Sequence, residues 1–348
     1  MRELSYPEAI LEGTRQLMAS DARVLLMGLG VNDPQGVQGT TLGLAREFGE
    51  QRVFDTPLSE DAMTGAAVGM AMAGLRPIHV HIRMDFLLLA MNQLINMAAK
   101  MRHMSGGQLS APLVVRAMIG KSWGQGPQHS QGLHALLAHI PGLKVVAPTT
   151  PHDAKGCLAA AVEDEDPVIF MEHRLLHYQR GPVPEALYAV SPGSGGRVTG
   201  EGEDITLVGV SYMQLECLRA RHELRSVGIR AEVIDPIWLA PLDVDTVARS
   251  VLKTGRLLVV DSGWVHCGMS SSIVAAVVEA VQDQRRVAVR RMGFEAVTCP
   301  TTPALERHFY PSVPRIAAAA YEMVKGDGPR WSPEEREYPE DVLFKGPF

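Results

Sequence analysis

Short apolar runs recur along this 348-residue chain, and each is followed by a helix-length segment. That alternation is what a buried parallel sheet requires. The spacing predicts a helix over Tyr6–Ser20, a strand over Arg23–Gly28, a small-residue helix over Glu60–Gly74 and a strand over Arg76–Ile82. A helix over Phe86–His103 follows, then strands over Pro112–Arg116 and Leu143–Ala147, a helix over Pro151–Glu163 and a strand over Pro167–Met171. The pattern fails from Gly181 to Asp204, where Ser191–Gly196 is turn chemistry. It resumes with strands over Ile205–Val210, Arg230–Ile234, Arg256–Asp261 and Val287–Met292, interleaved with helices over Tyr212–Ser226, Asp243–Thr254 and Met269–Ala280; a helix over Val313–Lys325 closes the run. The expected architecture is two doubly wound α/β domains, residues 1–185 and 204–326, joined by a linker at 186–203. Residues 327–348, rich in Pro and charge, read as an extended tail lying on a partner.

Composition narrows the function. The net charge of −6 is spread along the chain without a basic run that would neutralise phosphates, which argues against nucleic acid as a partner. No apolar run approaches the ~20 residues that span a bilayer, and Met1–Glu12 lacks the pattern of a signal peptide. Cys157, Cys217, Cys267 and Cys299 are far apart, without C-x-x-C pairing, which suits a reducing, cytoplasmic setting.

Two familiar motifs fail. Gly28-Leu29-Gly30 follows a strand, but the third glycine of a dinucleotide fingerprint is replaced by Asp33. Ser130 lacks the glycine two positions earlier that a nucleophile elbow needs, and reads as a turn or cap hydroxyl. What survives is Arg52-Val53-Phe54-Asp55-Thr56-Pro57-Leu58-Ser59-Glu60, a strand ending in a Pro turn with Ser59 placed to cap the next helix. Glu60 then lies in the first helical turn, where free amides and the helix dipole favour a negative charge on purely structural grounds. The helix it begins carries Gly65 and Gly69 four apart, built for close approach of another element, a subunit or a ligand.

The string from Asp55 to Ile78, DTPLSEDAMTGAAVGMAMAGLRPI, is similar to the pyrimidine-binding domain of β subunits of thiamin-diphosphate-dependent 2-oxo acid dehydrogenases, of the pyruvate and branched-chain type. The family pattern continues in Asn92–Lys100, Met104–Gly107, Gln128–Gln131 and Pro141–Pro148. The second half resembles the transketolase C-terminal domain through Ala231–Asp235 and Lys253–Asp261. The resemblance implies a thiamin-diphosphate pyrimidine-binding fold followed by a transketolase C-terminal-like domain.

It also implies chemistry. Thiamin diphosphate reacts through the C2 carbanion of its thiazolium ring, and a glutamate on the pyrimidine N1′ promotes the imino form that removes the C2 proton. By resemblance that glutamate is Glu60, with Leu58 beside the cofactor and Phe86 covering the aminopyrimidine. His129 matches the family histidine facing the acyl-transfer channel, where an imidazole serves as acid, base or anion-orienting group. His79 and His81 alternate along a strand, so at least one is expected to face the active-site side. A structural potassium ion is implied at Leu113, Ala161, Val162, Asp164 and Asp166, although the acidic loop from Glu163 to Asp166 could equally be a solvated turn.

Gly326-Asp327-Gly328 begins like the metal-diphosphate motif of thiamin enzymes, yet no Asn follows it. The resemblance therefore assigns Mg2+ and the diphosphate to a separate α chain, in an α2β2 assembly acting on a small 2-oxo acid with a lipoyl-domain or E2-like acceptor. Leu29 and Asn92 stand where the family carries acids lining a passage between active sites, and Asp61 where it carries an apolar residue. Asp61 either influences Glu60 or points outward. Two rivals remain: a two-component transketolase-like enzyme moving a two-carbon unit, and a non-catalytic scaffold subunit.

Overall fold

The computed structural model describes residues 2–121, 124–326 and 328–343; Asp327 of the Gly-Asp-Gly string lies outside them. They form two compact units, one from residues 2–120 and 129–193, the other from 121, 124–128 and 194–343. No helix among the described residues is long and apolar enough to cross a membrane.

The first unit contains β1 (Glu3–Ser5), α1 (Tyr6–Ser20), β2 (Val24–Gly28), α2 (Leu44–Phe48), β3 (Val53–Asp55), α3 (Glu60–Met72), β4 (Arg76–His81), α4 (Met101–Met104), β5 (Val114–Ile119), α5 (His134–Ala138), β6 (Lys144–Val146), α6 (Pro151–Glu163), β7 (Val168–His173) and β8 (Arg180–Pro182). Within this unit the main sheet runs β6-β7-β5-β4-β2-β3, every pair parallel. Strands β2, β5 and β7 are buried along their whole length, as a sheet covered on both faces demands. Helix α1 starts on a capping box, Ser5 Oγ accepting from Glu8 N while Glu8 Oε2 accepts from Ser5 N. Helix α6 starts on Thr150, whose hydroxyl accepts from Asp153 N, with Pro151 in its first turn.

The second unit contains β9 (Arg197–Gly200), β10 (Ile205–Gly209), α7 (Tyr212–Arg225), β11 (Ala231–Asp235), β12 (Trp238–Ala240), α8 (Val244–Thr254), β13 (Arg256–Trp264), α9 (Met269–Val281), β14 (Ala288–Phe294), α10 (Pro303–Phe309), α11 (Val313–Lys325) and α12 (Pro339–Leu343). Its sheet runs β14-β13-β10-β11-β9, parallel except for β9 against β11.

The structure departs from the sequence expectations at four places. The Phe86–His103 helix is a composite: a 3-10 stretch at Met84–Ala90, a π stretch at Asn92–Met97, a short 3-10 turn at Ala98–Lys100, then α4. Apolar spacing tells which face is buried, not whether carbonyls are reached from three, four or five residues away. Ser59 makes no side-chain cap; its carbonyl instead accepts from Met63 N at 2.9 Å to open α3. Part of the expected 186–203 linker is the edge strand β9. The tail is not simply extended: α12 brings Glu340 to 1% exposure, accepting from Tyr212 Oη at 3.0 Å and pairing with Arg219 Nη2 at 2.6 Å, while Arg219 covers the Tyr338 ring. The tail therefore lies against its own unit, because a buried acid and an arginine on α7 supply partners that turn composition does not encode.

One ion pair ties the first unit together. Arg116 on β5 and Glu172 on β7 are fully buried, joined by two hydrogen bonds of 2.6 and 3.0 Å, and Arg116 Nη2 also donates to Thr40 Oγ1 at 2.9 Å. Burial alone would push the Glu172 carboxyl up, but the Arg116 guanidinium and then His177 outweigh it and hold it at about 2. Glu172→Gln leaves a buried guanidinium unpaired and should cost about 3 to 5 kcal/mol in a urea melt at neutral pH. Because the folded carboxyl titrates below its usual 4.5, the native pair contributes stability above that value and loses it as pH falls towards 2. The variant should accordingly show a flatter acid limb in its stability against pH; an unchanged limb would contradict the assignment.

Candidate active site

Ligands of open α/β sheets gather at the carboxyl ends of the strands. Glu60 lies there, five residues beyond β3, and Leu29 directly follows β2. The backbone is tight at this point: Gly28 has φ of 149°, and a Cβ on it would overlap the Val80 carbonyl of the neighbouring strand. Asp55 fixes the loop after β2 by accepting from Asn32 N at 3.1 Å. Glu60, half-buried in the first turn of α3, lines a small cavity with Leu29, Thr56, Met63, His79 and His81.

The histidine expectation was for at least one of the pair to face this side, and both do, since residues two apart on a strand share a face. Their rings lie 4.3 Å apart with a tilt of 53°, and His81 Nε2 is 3.4 Å from Thr64 Oγ1 on α3. Burial pushes the His79 imidazole down to about 4; burial and then the neighbouring His79 hold His81 well below its usual range. The signal for this pair was legible as two polar residues on a strand otherwise buried among apolar ones.

A second group forms beside the first. Phe86, half-buried in the 3-10 stretch after β4, meets the His129 ring edge-on at 5.3 Å and 84°. Asp85 next to it is buried and accepts from Gln131 N at 3.2 Å and Gln131 Nε2 at 2.9 Å. Sequence reasoning missed Arg83 and Arg174, which follow β4 and β7 and are 4% and 2% exposed. Burial holds both guanidinium groups below their ordinary range; the charge of Arg83 adds to the effect at Arg174, and Asp85 opposes it at both. Arginine keeps its proton under such pressure, so this corner of the unit carries concentrated positive charge.

The remaining expected positions divide. Leu58 is 77% exposed and lies outside the Glu60 cavity lining, because the Pro turn before α3 projects it outward. Asp61 takes the outward course: it is exposed and accepts from Gln93 Nε2 at 3.1 Å, while Gly65 leaves room for the same Gln93 side chain. Asn92 is exposed and accepts from Asn96 Nδ2 at 2.9 Å. In the implied potassium set, the Val162 and Asp164 carbonyls accept from Arg76 Nη1 at 2.8 and 3.1 Å, and the Leu113 carbonyl from Val168 N at 2.9 Å. Lys144 Nζ bonds both Asp164 carboxylate oxygens at 2.7 and 2.6 Å and lies 3.4 Å from Asp166. Two side-chain cations thus already occupy ground that a metal cation would share.

Neutral buried histidines make folding pH-dependent. The unfolded chain binds protons at His79 from about 6.5 downward, whereas the folded site resists until about 4, so stability should fall through that window by roughly 3 kcal/mol. A His79→Phe variant should lose less stability between pH 7 and 4.5 than the wild type when both are unfolded in urea. An identical loss would mean that the buried imidazole titrates normally.

Comparison with known proteins adds an independent line. Residues 2–179 match the family of the transketolase pyrimidine-binding domain, and residues 194–316 that of the transketolase C-terminal domain. The β subunit of acetoin:2,6-dichlorophenolindophenol oxidoreductase from Cupriavidus necator is 41% identical over 93% of this chain and 98% of its own. The pyruvate dehydrogenase E1 β subunit of Rickettsia bellii is 38% identical over 89% and 95%, and the 2-oxoisovalerate dehydrogenase β subunit of Bacillus subtilis 37% identical over 93% and 100%. A solved structure described as a split-gene transketolase, an inactive β4 tetramer, superposes with a TM-score of 0.75 at 23% identity, over 92% of this chain and 99% of that one, and supports the shared fold.

Proposed function

Given that the chain belongs to the family of transketolase-like E1 β subunits, we propose that it is the pyrimidine-activating half of a thiamin-diphosphate enzyme that decarboxylates a 2-oxo acid. The observation that carries this reading is Glu60 itself: a carboxylate in the first turn of α3, at the carboxyl edge of a parallel sheet, in a cavity walled by Leu29 and Met63. An aminopyrimidine needs such an acceptor beside apolar side chains, and thiamin diphosphate, when bound, would supply the carbanion chemistry. Glu60 would hold the shared proton at N1′, Phe86 would lie against the pyrimidine, and His129, packed perpendicular to the Phe86 ring, would face the acyl group on its way out. Leu58 would meet the cofactor only from the protruding turn before α3.

The relatives are named as β subunits, so a separate α chain would hold the diphosphate and Mg2+, and an α2β2 assembly would follow. A lipoyl-bearing E2-like protein is the proposed acceptor, and the free cysteines accord with a cytoplasmic setting. Potassium enters the reading only through lone pairs that Arg76 leaves free. If it binds, the chain should melt at a higher temperature in KCl than in tetramethylammonium chloride of equal ionic strength; equal melting removes it.

Leu29 in the cavity, where the family carries an acid, favours a second reading, a two-component enzyme that transfers a two-carbon unit. Acetoin, named for one relative, belongs in the same comparison. Product analysis with pyruvate, 3-methyl-2-oxobutanoate, acetoin and a ketose, with and without a lipoyl domain, separates them: acyl-lipoyl product supports the dehydrogenase, and ketose formation the transferase.

Glu60→Gln in the reconstituted α/β enzyme should lower turnover about 10²- to 10⁴-fold while the β chain melts normally. Unchanged turnover would sink the catalytic assignment and favour a scaffold.

A further inference from the structure

The Glu60 cavity contains a polar atom that decarboxylation leaves unused. His79 is 2% exposed, and its Nδ1 has no hydrogen-bond partner among the described residues. An unsatisfied buried polar group costs on the order of 1 to 3 kcal/mol, so its retention calls for a partner that completes it. The His81 ring lies 4.3 Å from it and is itself held near Thr64 on the helix that carries Glu60. The cavity shared by His79 and Glu60 measures about 10 Å³, the room one water molecule requires, and Thr56 adds a further polar wall.

We propose that one water is held between His79 Nδ1 and the Glu60 carboxylate, which makes His79 a positioning residue for Glu60. The inference rests on the catalytic assignment of Glu60. Burial keeps both imidazoles neutral, so Nδ1 is free to accept one proton of the water. The other proton is donated to the carboxylate, which favours its charged form. The titratable groups on the elements around this water are Asp55 on β3, Glu60 and Asp61 on α3, Arg76, His79 and His81 on β4, Arg116 on the adjacent β5, and Asp85 in the 3-10 stretch packed on α3; Arg76 is bonded to the Val162 and Asp164 carbonyls and Arg116 to Glu172. Asp55, Asp61 and Asp85 are each engaged elsewhere, with Asn32, Gln93 and Gln131 respectively. His79, whose Nδ1 lacks a partner, thus shares the cavity with Glu60.

The test is the pH profile of turnover in the reconstituted α/β enzyme. His79→Phe fills the ring volume without a nitrogen, so Glu60 loses the donated hydrogen bond and the acid limb should move up by about one pH unit. His79→Asn, which returns an acceptor near Nδ1, should restore most of that shift. On the alkaline plateau both variants should melt like the wild type, as a generally loosened fold would not. An acid limb unmoved in His79→Phe overturns the proposal. Should that variant fail to fold, long-range nitrogen–proton NMR on the wild-type β chain decides: an unprotonated Nδ1 supports the water site, and an Nδ1–H tautomer overturns it. Loss of turnover in Glu60→Gln with no shift in His79→Phe defeats this inference alone, whereas unaffected turnover in Glu60→Gln defeats the reading beneath it.

Discussion

The first unit is organised around the fully buried Arg116–Glu172 pair. The two residues lie on adjacent parallel strands, two positions apart in register, and neither touches solvent. Three other parts of the unit converge on them: Thr40 from the loop after β2, His177 at 3.7 Å from Glu172, and Tyr6 at the start of α1, stacked on His177. Burial, reinforced by the Glu172 charge, holds the Tyr6 hydroxyl well above its usual range, so it acts as a neutral donor to the Pro148 carbonyl at 3.1 Å. An ion pair of this kind contributes less to stability than to arrangement, since replacing it with matched apolar groups can be neutral while breaking it is expensive. Here it fixes β5 against β7 and hence the level at which both strands end.

That level matters because everything proposed for the site leaves the sheet from the same edge. Leu29 leaves β2, Glu60 follows β3, Phe86 follows β4 and Arg174 follows β7. A slip of any one strand by a single residue would reverse which side chains face the cavity, and His79 and His81 would turn away from Glu60 together. The composite segment after β4 serves the same geometry. Its π stretch places Gln93 where it meets Asp61 and Gly65 of α3 at once, which seats the helix carrying Glu60.

Charge in this unit is used in two opposite ways. At Glu172 a guanidinium overcomes burial and keeps a carboxylate ionised, whereas at His79 and His81 nothing opposes burial and the rings stay neutral. The cavity beside Glu60 is therefore polar without being cationic at its two histidines. The positive charge of the neighbourhood is carried by Arg83 and Arg174, neither of which lines the Glu60 cavity.

Much of this was legible in the sequence, because periodicity reports which residues must be buried and a parallel sheet allows few solutions. The alternation of apolar runs with helices gave both α/β units, and the string from Asp55 through Ile78 singled out Glu60 ahead of a helix of small residues. Phe86 and His129, read from separate stretches, do meet. What the sequence left open depends on partners distant along the chain. Whether Asp61 bore on Glu60 was settled by Gln93, and the course of the tail by Arg219 and Tyr212. The carbonyls read as ion ligands were met by Arg76, and the expected cap at Ser59 gave way to a backbone bond. The neutral state of His79 and His81 could come only from the tertiary structure, since an imidazole's charge is set by how much water and which charges surround it, and spacing along one strand records neither.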